Sequence, residues 1–311
     1  MLLSTFKSSS LKGNFKNLQL ASLYHVLSGK TLSESMRNEL AEKIKTIKAQ
    51  HPEFNPKLKI LQIGSRPDSS TYVKAKLNAS TKSGVSCDVE KLAEDINETE
   101  LLTKIEKLND DDSIHGILIQ LPLPKHLDET LITNAVSAKK DVDGFHRYNV
   151  GELSKRGGTP YFIPCTPNGV MRLLEESKVP LKGKTAVVIG RSDIVGTPVS
   201  SLLKKANCTV TMVHRYSENV PELIKQADIV VAACGVPQFV KGEWLKEGAI
   251  VIDVGINHIP APEKKSGKKL VGDVDFESCK EKASFITPVP GGVGPMTVSM
   301  LTANVFQAAL K

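Results

Sequence analysis

Cysteine is sparse in this 311-residue sequence: Cys87, Cys165, Cys208, Cys234 and Cys279 are odd in number, scattered, and never spaced as C-x-x-C. Such spacing argues against a disulfide framework or a zinc cluster and fits a reducing compartment. No apolar run approaches the ~18 residues that read as a membrane span, so no membrane partner is expected. Acidic residues are missing from the first 30 positions, where Lys7, Lys12, Lys16 and Lys30 supply +4 of the formal net charge of +7. What remains is only mildly basic and gives nucleic acid little to grip. A small polyanion or a phosphorylated cofactor is drawn by the same modest bias.

Arginine is absent before Arg37. That is the one departure from a mitochondrial presequence, whose Ser-, Leu- and Lys-rich, acid-free composition residues 1–22 otherwise share. The plainer alternative is a disordered tail. No continuous apolar core suggests a secretory signal.

Beyond that segment the composition is that of an ordinary globular protein, 40% hydrophobic and 24% charged, and the length suits two packed domains. Thr31 with Glu34 reads as a capping box opening a helix striped by Met36, Leu40, Ile44 and Ile47. Residues 59–64 read as a buried strand, 65–70 as a turn carrying Arg66-Pro67-Asp68, and 71–83 as a helix. Asn97 with Glu100 caps a further helix, whose Leu101, Leu102, Ile105 and Leu108 face inward. Residues 115–121 form the next strand. Thr166 before Pro167 reads as an N-cap leading into a second domain. There, strands at 185–189, 209–214, 228–233 and 249–254 are nearly all apolar, as strands buried on both faces are. The expected fold class is α/β in two domains: an N-terminal α/β substrate domain and a Rossmann-like dinucleotide-binding domain, with a cleft between them. The boundaries fall at 23–166 plus 296–311 for the first and 167–295 for the second. Residues 257–269 read as a polar surface excursion.

Four constellations carry chemistry. Gly190-Arg191-Ser192-Asp193-Ile194-Val195-Gly196 follows a strand and opens a helix, the setting in which glycine and free N–H groups accept a phosphate. It is not G-x-G-x-x-G, and as a bare pattern it also describes a plain strand–turn–helix corner. The second strand ends at His214-Arg215, where an NAD site would hold an acid on the ribose. Arg191 and Arg215 together favour a 2′-phosphate and hence NADP, although either alone is commonly a solvated charge.

Tyr72 and Lys76 share a helix face at i,i+4. A lysine can shuttle protons and a tyrosine can stack on a flat substrate, yet most helical lysines, Lys74 included, are simply solvated. A short-chain dehydrogenase also has Tyr-x-x-x-Lys, but after its glycine loop rather than before it. Gln120 at a strand end and Asp141-Val142-Asp143-Gly144 in a loop stand where α/β folds place functional groups. No further ligand joins the two acids to make a metal site. Lastly, residues 288–297 are too rich in Pro and Gly for helix or central strand, and read as a fixed loop open to ligand approach. An apolar helical pattern resumes from Thr297.

Together these motifs, with residues 162–167 (Phe-Ile-Pro-Cys-Thr-Pro), resemble the bifunctional methylenetetrahydrofolate dehydrogenase/cyclohydrolase family from about Tyr24 to the C-terminus. The likeness is strongest to the N-terminal portion of the mitochondrial trifunctional synthases, whose formate–tetrahydrofolate ligase portion lies outside these residues. The resemblance implies NADP-dependent oxidation of methylenetetrahydrofolate, followed by hydrolysis of the methenyl product to 10-formyltetrahydrofolate. It makes Lys76, Gln120 and Asp143 catalytic, with Lys76 moving protons in the hydrolytic step, Gln120 tuning it and Asp143 holding the pterin. Folate contacts are implied for Tyr72, Val73, Lys74, Ala75, Lys76, Gln120, Leu121, Pro122 and Asp143, and for Pro290, Gly291, Gly292, Val293 and Gly294. NADP contacts are implied for Gly190, Arg191, Ser192, Arg215 and Ile256. Arg215 departs from the serine common in the family. The resemblance further implies no metal, tetrahydrofolate substrates that include polyglutamylated forms, a homodimer, and the mitochondrial matrix, with the cytoplasm as the alternative.

Overall fold

In the computed structural model, residues 24–263 and 267–311 are described; the segment read as a presequence lies outside them. The first half of the chain contains β1 (His25–Val26), α1 (Gly29–Gln50), β2 (Lys57–Ile63), α2 (Pro67–Lys82), β3 (Ser86–Leu92), α3 (Glu98–Asp110), β4 (Gly116–Ile119), α4 (Glu129–Ala135) and α5 (Arg147–Ser154). Then α6 (Cys165–Glu176) leads into β5 (Thr185–Ile189), α7 (Gly196–Lys205), β6 (Thr209–Val213), α8 (Val220–Lys225), β7 (Ile229–Ala232) and β8 (Ile250–Asp253). The chain closes with β9 (Asn257–Pro260), β10 (Lys268–Val271), α9 (Phe276–Cys279), β11 (Phe285–Ile286) and α10 (Val293–Ala309).

Two parallel sheets result. One has the order β3-β2-β4; the other has the order β1-β11-β8-β7-β5-β6. Both reverse direction of travel beside one strand, between β2 and β4 in one and between β5 and β7 in the other. In α/β sheets a ligand crevice opens at the carboxyl ends of the strands at such a point. β1, read from sequence as part of the first domain, is the edge strand of the second sheet, paired with β11. The polar excursion after β8 is an antiparallel hairpin of β9 and β10.

Several helix starts differ from the sequence reading, each for a local reason. Ser28, not Thr31, caps α1, its Oγ accepting from Thr31 N at 3.3 Å. Within that helix Leu40 and Ile44 are buried, while Met36 and Ile47 are only partly so. α2 begins at Pro67 rather than Thr71, because the fixed φ of proline suits a first turn and Asp68 sits favourably at the helix's positive end. α6 begins at Cys165 without a side-chain cap, and the Thr166 hydroxyl instead pairs with Thr297 Oγ1 at 2.9 Å. α10 begins at Val293, so the expected loop ends four residues early and Pro295 lies in the first turn. The Asn97 cap is as expected, its Oδ1 accepting from Glu100 N at 2.7 Å.

A continuous apolar core joins the sheets through α6 and α10, with Val73, Leu118, Val170, Leu173, Val188, Ile252, Met296 and Leu301 among its members. Separate clusters cover the outer face of each sheet. Among the described residues no helix is long and apolar enough to cross a membrane.

Asp228 ties the amino ends of β5 and β7. Its Oδ2 accepts from Thr185 N at 3.0 Å and from Thr185 Oγ1 at 3.1 Å, and Lys246 Nζ lies 2.6 Å from Oδ1. The Lys246 ammonium holds this carboxyl down to about 2. A folded-state value below the unfolded ~3.9 stabilises the protein above pH ~4, and that contribution is lost as pH falls towards 2. Asp228→Asn is therefore expected to lower the melting temperature by ~2–4 °C at neutral pH. The gap to the unaltered chain should close as pH is lowered through that window. A gap that persists at the acid end would show that packing, not charge, is responsible.

Candidate active site

The carboxyl ends of both sheets open on one cleft, and its two walls carry different chemistry. On the first wall, α2 starts just after β2, so Tyr72 and Lys76 project one turn apart beside Gln120, which directly follows β4. The segment after β4 returns alongside it through a bridge between Ile117 and Asp141, bringing Asp143 to the same edge. Gly116 makes this approach possible: a Cβ there would stand 2.7 Å from Val142 Cγ1. A cavity of about 380 Å³ lies over these groups, lined by Tyr72, Lys76, Gln120, Leu121 and Asp143.

Orientation at this wall follows from donor and acceptor inventory. Gln120 Nε2 donates to the Leu121 carbonyl at 2.8 Å, so its amide must present oxygen on the other side. Lys76 Nζ donates to that Oε1 at 3.1 Å. The amine is thus fixed by one bond and open toward the cavity. Burial pushes the Asp143 carboxyl above its ordinary value, and the Lys76 charge pulls it back. The Cys165 thiol forms the floor, donating to the Val142 carbonyl at 3.4 Å. Burial, reinforced by the neighbouring Asp143, pushes that thiol well above the ordinary range, which leaves it an uncharged surface rather than a nucleophile. Tyr72 is 44% exposed, its ring open on one side to a flat ligand.

The two acids of the Asp141-Val142-Asp143-Gly144 motif have separate tasks. Asp141 is buried and accepts from His146 N at 2.7 Å and Asn149 Nδ2 at 2.9 Å, closing the turn into α5. Burial raises it to about 6. Only Asp143 reaches the cavity. Among the described residues no group of three or more His, Cys, Asp or Glu is placed to hold a metal ion.

The second wall is built on β5, β7 and α7. Gly190 has φ of +116°, and a Cβ on it would lie 2.0 Å from the Ala233 carbonyl oxygen; one on Gly196 would lie 2.2 Å from the Gly190 carbonyl oxygen. Only glycines allow the loop to fold so tightly against β7 before α7, which starts with no side-chain cap. A pocket of about 450 Å³ opens there, lined by Gly190, Arg191, Ser192, His214, Arg215 and Cys234. Arg191 and Arg215 both stand over the exposed Tyr216 ring, at 5.9 and 4.8 Å from its centroid. A cradle of glycine backbone at a helix start, rimmed by two guanidiniums, fits a phosphorylated dinucleotide.

Ile194 and Val195 of the same loop border the 380 Å³ cavity, so the two sites are contiguous. A third space of about 420 Å³ continues the cleft between Asp68, Tyr72 and residues 288–295. Pro290, Gly291 and Gly292 line only that space, whereas Val293, Gly294 and Ile256 line both it and the main cavity.

Not every expected residue converges. Val73 is buried in the core behind α2, and Lys74 and Ala75 are exposed on its outer face; none of the three lines the cleft. Pro122 lines a neighbouring depression instead. Sequence reasoning missed Phe145, Ile194 and Val298 as lining residues, and Cys165 as the floor. For Cys165 a signal existed, since it stands directly before Thr166-Pro167 at a helix start.

Comparison with known proteins covers nearly all of the chain. The model of the tetrahydrofolate dehydrogenase/cyclohydrolase catalytic domain matches residues 27–143, and that of the corresponding NAD(P)-binding domain matches residues 164–311. The mitochondrial C-1-tetrahydrofolate synthase of Saccharomyces cerevisiae is 66% identical over 93% of this chain, which spans 30% of that protein's length. The bifunctional protein FolD of Zymomonas mobilis is 51% identical over 91% of this chain and 96% of its own. The crystal structure of Trypanosoma brucei methylenetetrahydrofolate dehydrogenase-cyclohydrolase, complexed with NADP cofactor and inhibitor, superposes with a TM-score of 0.88. It is 38% identical and covers 92% of this chain and 97% of that one.

Gly190→Ala tests the second wall directly. The added methyl collides with the Ala233 carbonyl at a backbone angle that L-residues avoid. The dissociation constant for the dinucleotide, read by titration calorimetry, is expected to rise at least about tenfold; an unchanged constant would remove the loop from the binding site.

Proposed function

The chain belongs to the tetrahydrofolate dehydrogenase/cyclohydrolase family, and from that premise we propose how its cleft divides the work. The protein oxidises 5,10-methylenetetrahydrofolate to 5,10-methenyltetrahydrofolate with NADP and hydrolyses the product to 10-formyltetrahydrofolate. The observation that carries this reading is the Lys76–Gln120 pair beside Asp143, facing a glycine-loop pocket across a single cleft.

In this reading Tyr72 stacks on the folate and Asp143 accepts hydrogen bonds from the pterin. Gly190, Ser192 and the start of α7 would hold the phosphates of a dinucleotide, and Arg191 with Arg215 would neutralise a 2′-phosphate where an NAD enzyme carries an acid. A dinucleotide bound there would supply the acceptor for the hydride of the methylene carbon. Ile256, half exposed at the junction of the two spaces, excludes water from the transfer.

Hydrolysis needs a base and then an acid at one place. A water adds to the methenyl carbon, forming a C–O bond, and one of its protons passes by way of Lys76. The carbon–N5 bond then breaks as that proton is returned to N5, and the added oxygen releases its remaining proton to solvent to become the carbonyl of the formyl group on N10. Gln120 aims the amine by holding one of its N–H groups. The loop from Pro290 to Gly294 forms the outer wall over the substrate.

Three finer points belong to the same proposal. The substrates include polyglutamylated folates, which the mildly basic balance of the chain beyond residue 30 favours. The protein is a homodimer, for which the outer edge of β6, unpaired among the described residues, is a suitable place. It works in the mitochondrial matrix, in keeping with the composition of residues 1–22; sequencing the N-terminus from cells decides between import and a cytoplasmic protein.

The test follows reduced cofactor and methenyltetrahydrofolate separately. With the unaltered chain, NADP+ and methylenetetrahydrofolate, both should form; no reduction with NADP+ or NAD+ would sink the dehydrogenase reading. Lys76→Met is expected to lower hydrolysis by a factor of ~10² or more with NADP+ affinity within about twofold. Full hydrolysis by that variant would remove Lys76 from the mechanism.

A further inference from the structure

Behind the second wall lie two buried carboxylates that the chemistry above does not use. Asp253 ends β8 and is 3% exposed; Asp273, just after β10, is fully buried. Asp253 Oδ1 accepts from Gly255 N and from Asp273 N, both at 2.9 Å, and its Oδ2 accepts from Val274 N at 3.0 Å. Asp273 Oδ2 accepts from Cys234 N at 2.7 Å and Gly235 N at 2.8 Å, while its Oδ1 accepts from Asn257 Nδ2 at 2.8 Å.

Glycine is needed where the chain meets these groups. A Cβ on Gly272 would fall 1.8 Å from Asp253 Oδ2, and one on Gly255 would fall 2.3 Å from Asp273 Oδ1. The arrangement has a desolvation cost: burial pushes Asp253 up to about 7, against the pull of its three N–H donors. It is not a cation site, because every carboxylate oxygen already faces an N–H donor and those donors repel a metal.

The segments held this way have one thing in common. Cys234 lines the glycine-loop pocket, and Ile256, which lies between Gly255 and Asn257, lines the cleft next to it. We propose that Asp273, braced by Asp253, is a positioning residue for the dinucleotide: it fixes the turn after β7 and the turn after β8 relative to each other, so that both border the cofactor at one spacing. Asp273 lines none of the three spaces, and Asp253 borders only the one beside residues 288–295. Lys76, Gln120 and Asp143 stand on the opposite wall, so the hydrolytic half of the site does not depend on it.

This inference rests on the family reading, and calorimetric binding of NADP+ separates the two. Absent turnover in the unaltered chain would fault the functional reading alone, while NADP+ affinity reports on the pair regardless of turnover. Asp273→Ala is expected to raise the dissociation constant for NADP+ at least about tenfold, with hydrolysis of methenyltetrahydrofolate within about twofold. Asp273→Asn should restore affinity to within about threefold. Its amide oxygen can still face the two backbone N–H groups, and Asn257 can turn its own oxygen toward the new amine. NADP+ affinity unchanged in Asp273→Ala would overturn the proposal, as would a parallel loss of affinity, hydrolysis and melting temperature, which marks a merely structural pair. Should Asp273→Ala not fold, Asn257→Ala carries the decision, since it removes one donor from the carboxylate and leaves the backbone bonds. A rise of about threefold in the NADP+ dissociation constant with hydrolysis unchanged supports the pair's role, and no change overturns it.

Discussion

Everything in the cleft depends on how closely the backbone before α10 approaches the helices beside it. A Cβ on Gly29 would stand 1.8 Å from the Gly292 carbonyl oxygen, and one on Gly169 would stand 2.9 Å from Met296 Cβ. Lys30 N donates to the Gly291 carbonyl at 2.9 Å, and the Thr166 and Thr297 hydroxyls meet at 2.9 Å. α1, α6 and the start of α10 are thus fixed against one another beside the cleft. Farther along, Asn304 Nδ2 donates to the carbonyls of Val142 at 2.8 Å and Ile163 at 3.2 Å. One helix therefore forms part of the cleft wall with its first turn and secures the Asp143 segment with its middle. The spacing between the walls is a packing property, set before any catalytic side chain is considered.

Within that frame the two walls solve different problems. The glycine-loop wall offers backbone and permanent positive charge, which suits a ligand whose recognition is electrostatic. The Lys76 wall offers a few polar groups among apolar ones, where desolvation strengthens each contact but makes an unpaired group costly. Its answer is sequential pairing: Leu121 carbonyl to Gln120 amide, Gln120 oxygen to Lys76 amine, and the Lys76 charge acting on Asp143. The cavity-facing side of the amine is left for the substrate.

The sequence made the outline of this legible, because apolar strands and glycine turns leave strong local signals. All four strands expected in the second domain are present within a residue or two, and the four constellations gather round one cleft apart from a few members. What was not legible depended on tertiary partners. Thr31 and Thr166 look like caps locally, but Ser28 and Thr297 decide their hydrogen bonds. Val73, Lys74 and Ala75 share a motif with Tyr72 and Lys76, yet helical periodicity turns them to the core or to solvent. In the Asp141-Val142-Asp143-Gly144 motif the same logic splits two like residues into a turn brace and a cleft acid. Asp253 was the most informative residue passed over. A carboxylate at the end of an otherwise apolar strand buried on both faces has to find donors, and that requirement alone points to a network.

The network also explains why so polar a device sits behind a binding wall. Turns after parallel strands are irregular, and their N–H groups cannot be satisfied by a neighbouring strand. Apolar packing would bury them unpaired. A carboxylate accepts several N–H bonds at once and holds their donors at fixed directions, which two loops from different strands otherwise lack. The glycines at 255 and 272 are then consequences rather than independent features, since any side chain there would displace the acid. Rigidity in the cofactor wall is thus supplied by charge and hydrogen bonding, whereas rigidity between the walls is supplied by close helix packing. The two mechanisms meet at Thr287, whose hydroxyl accepts from Asp253 N at 2.7 Å just before the chain turns into the loop that leads to α10.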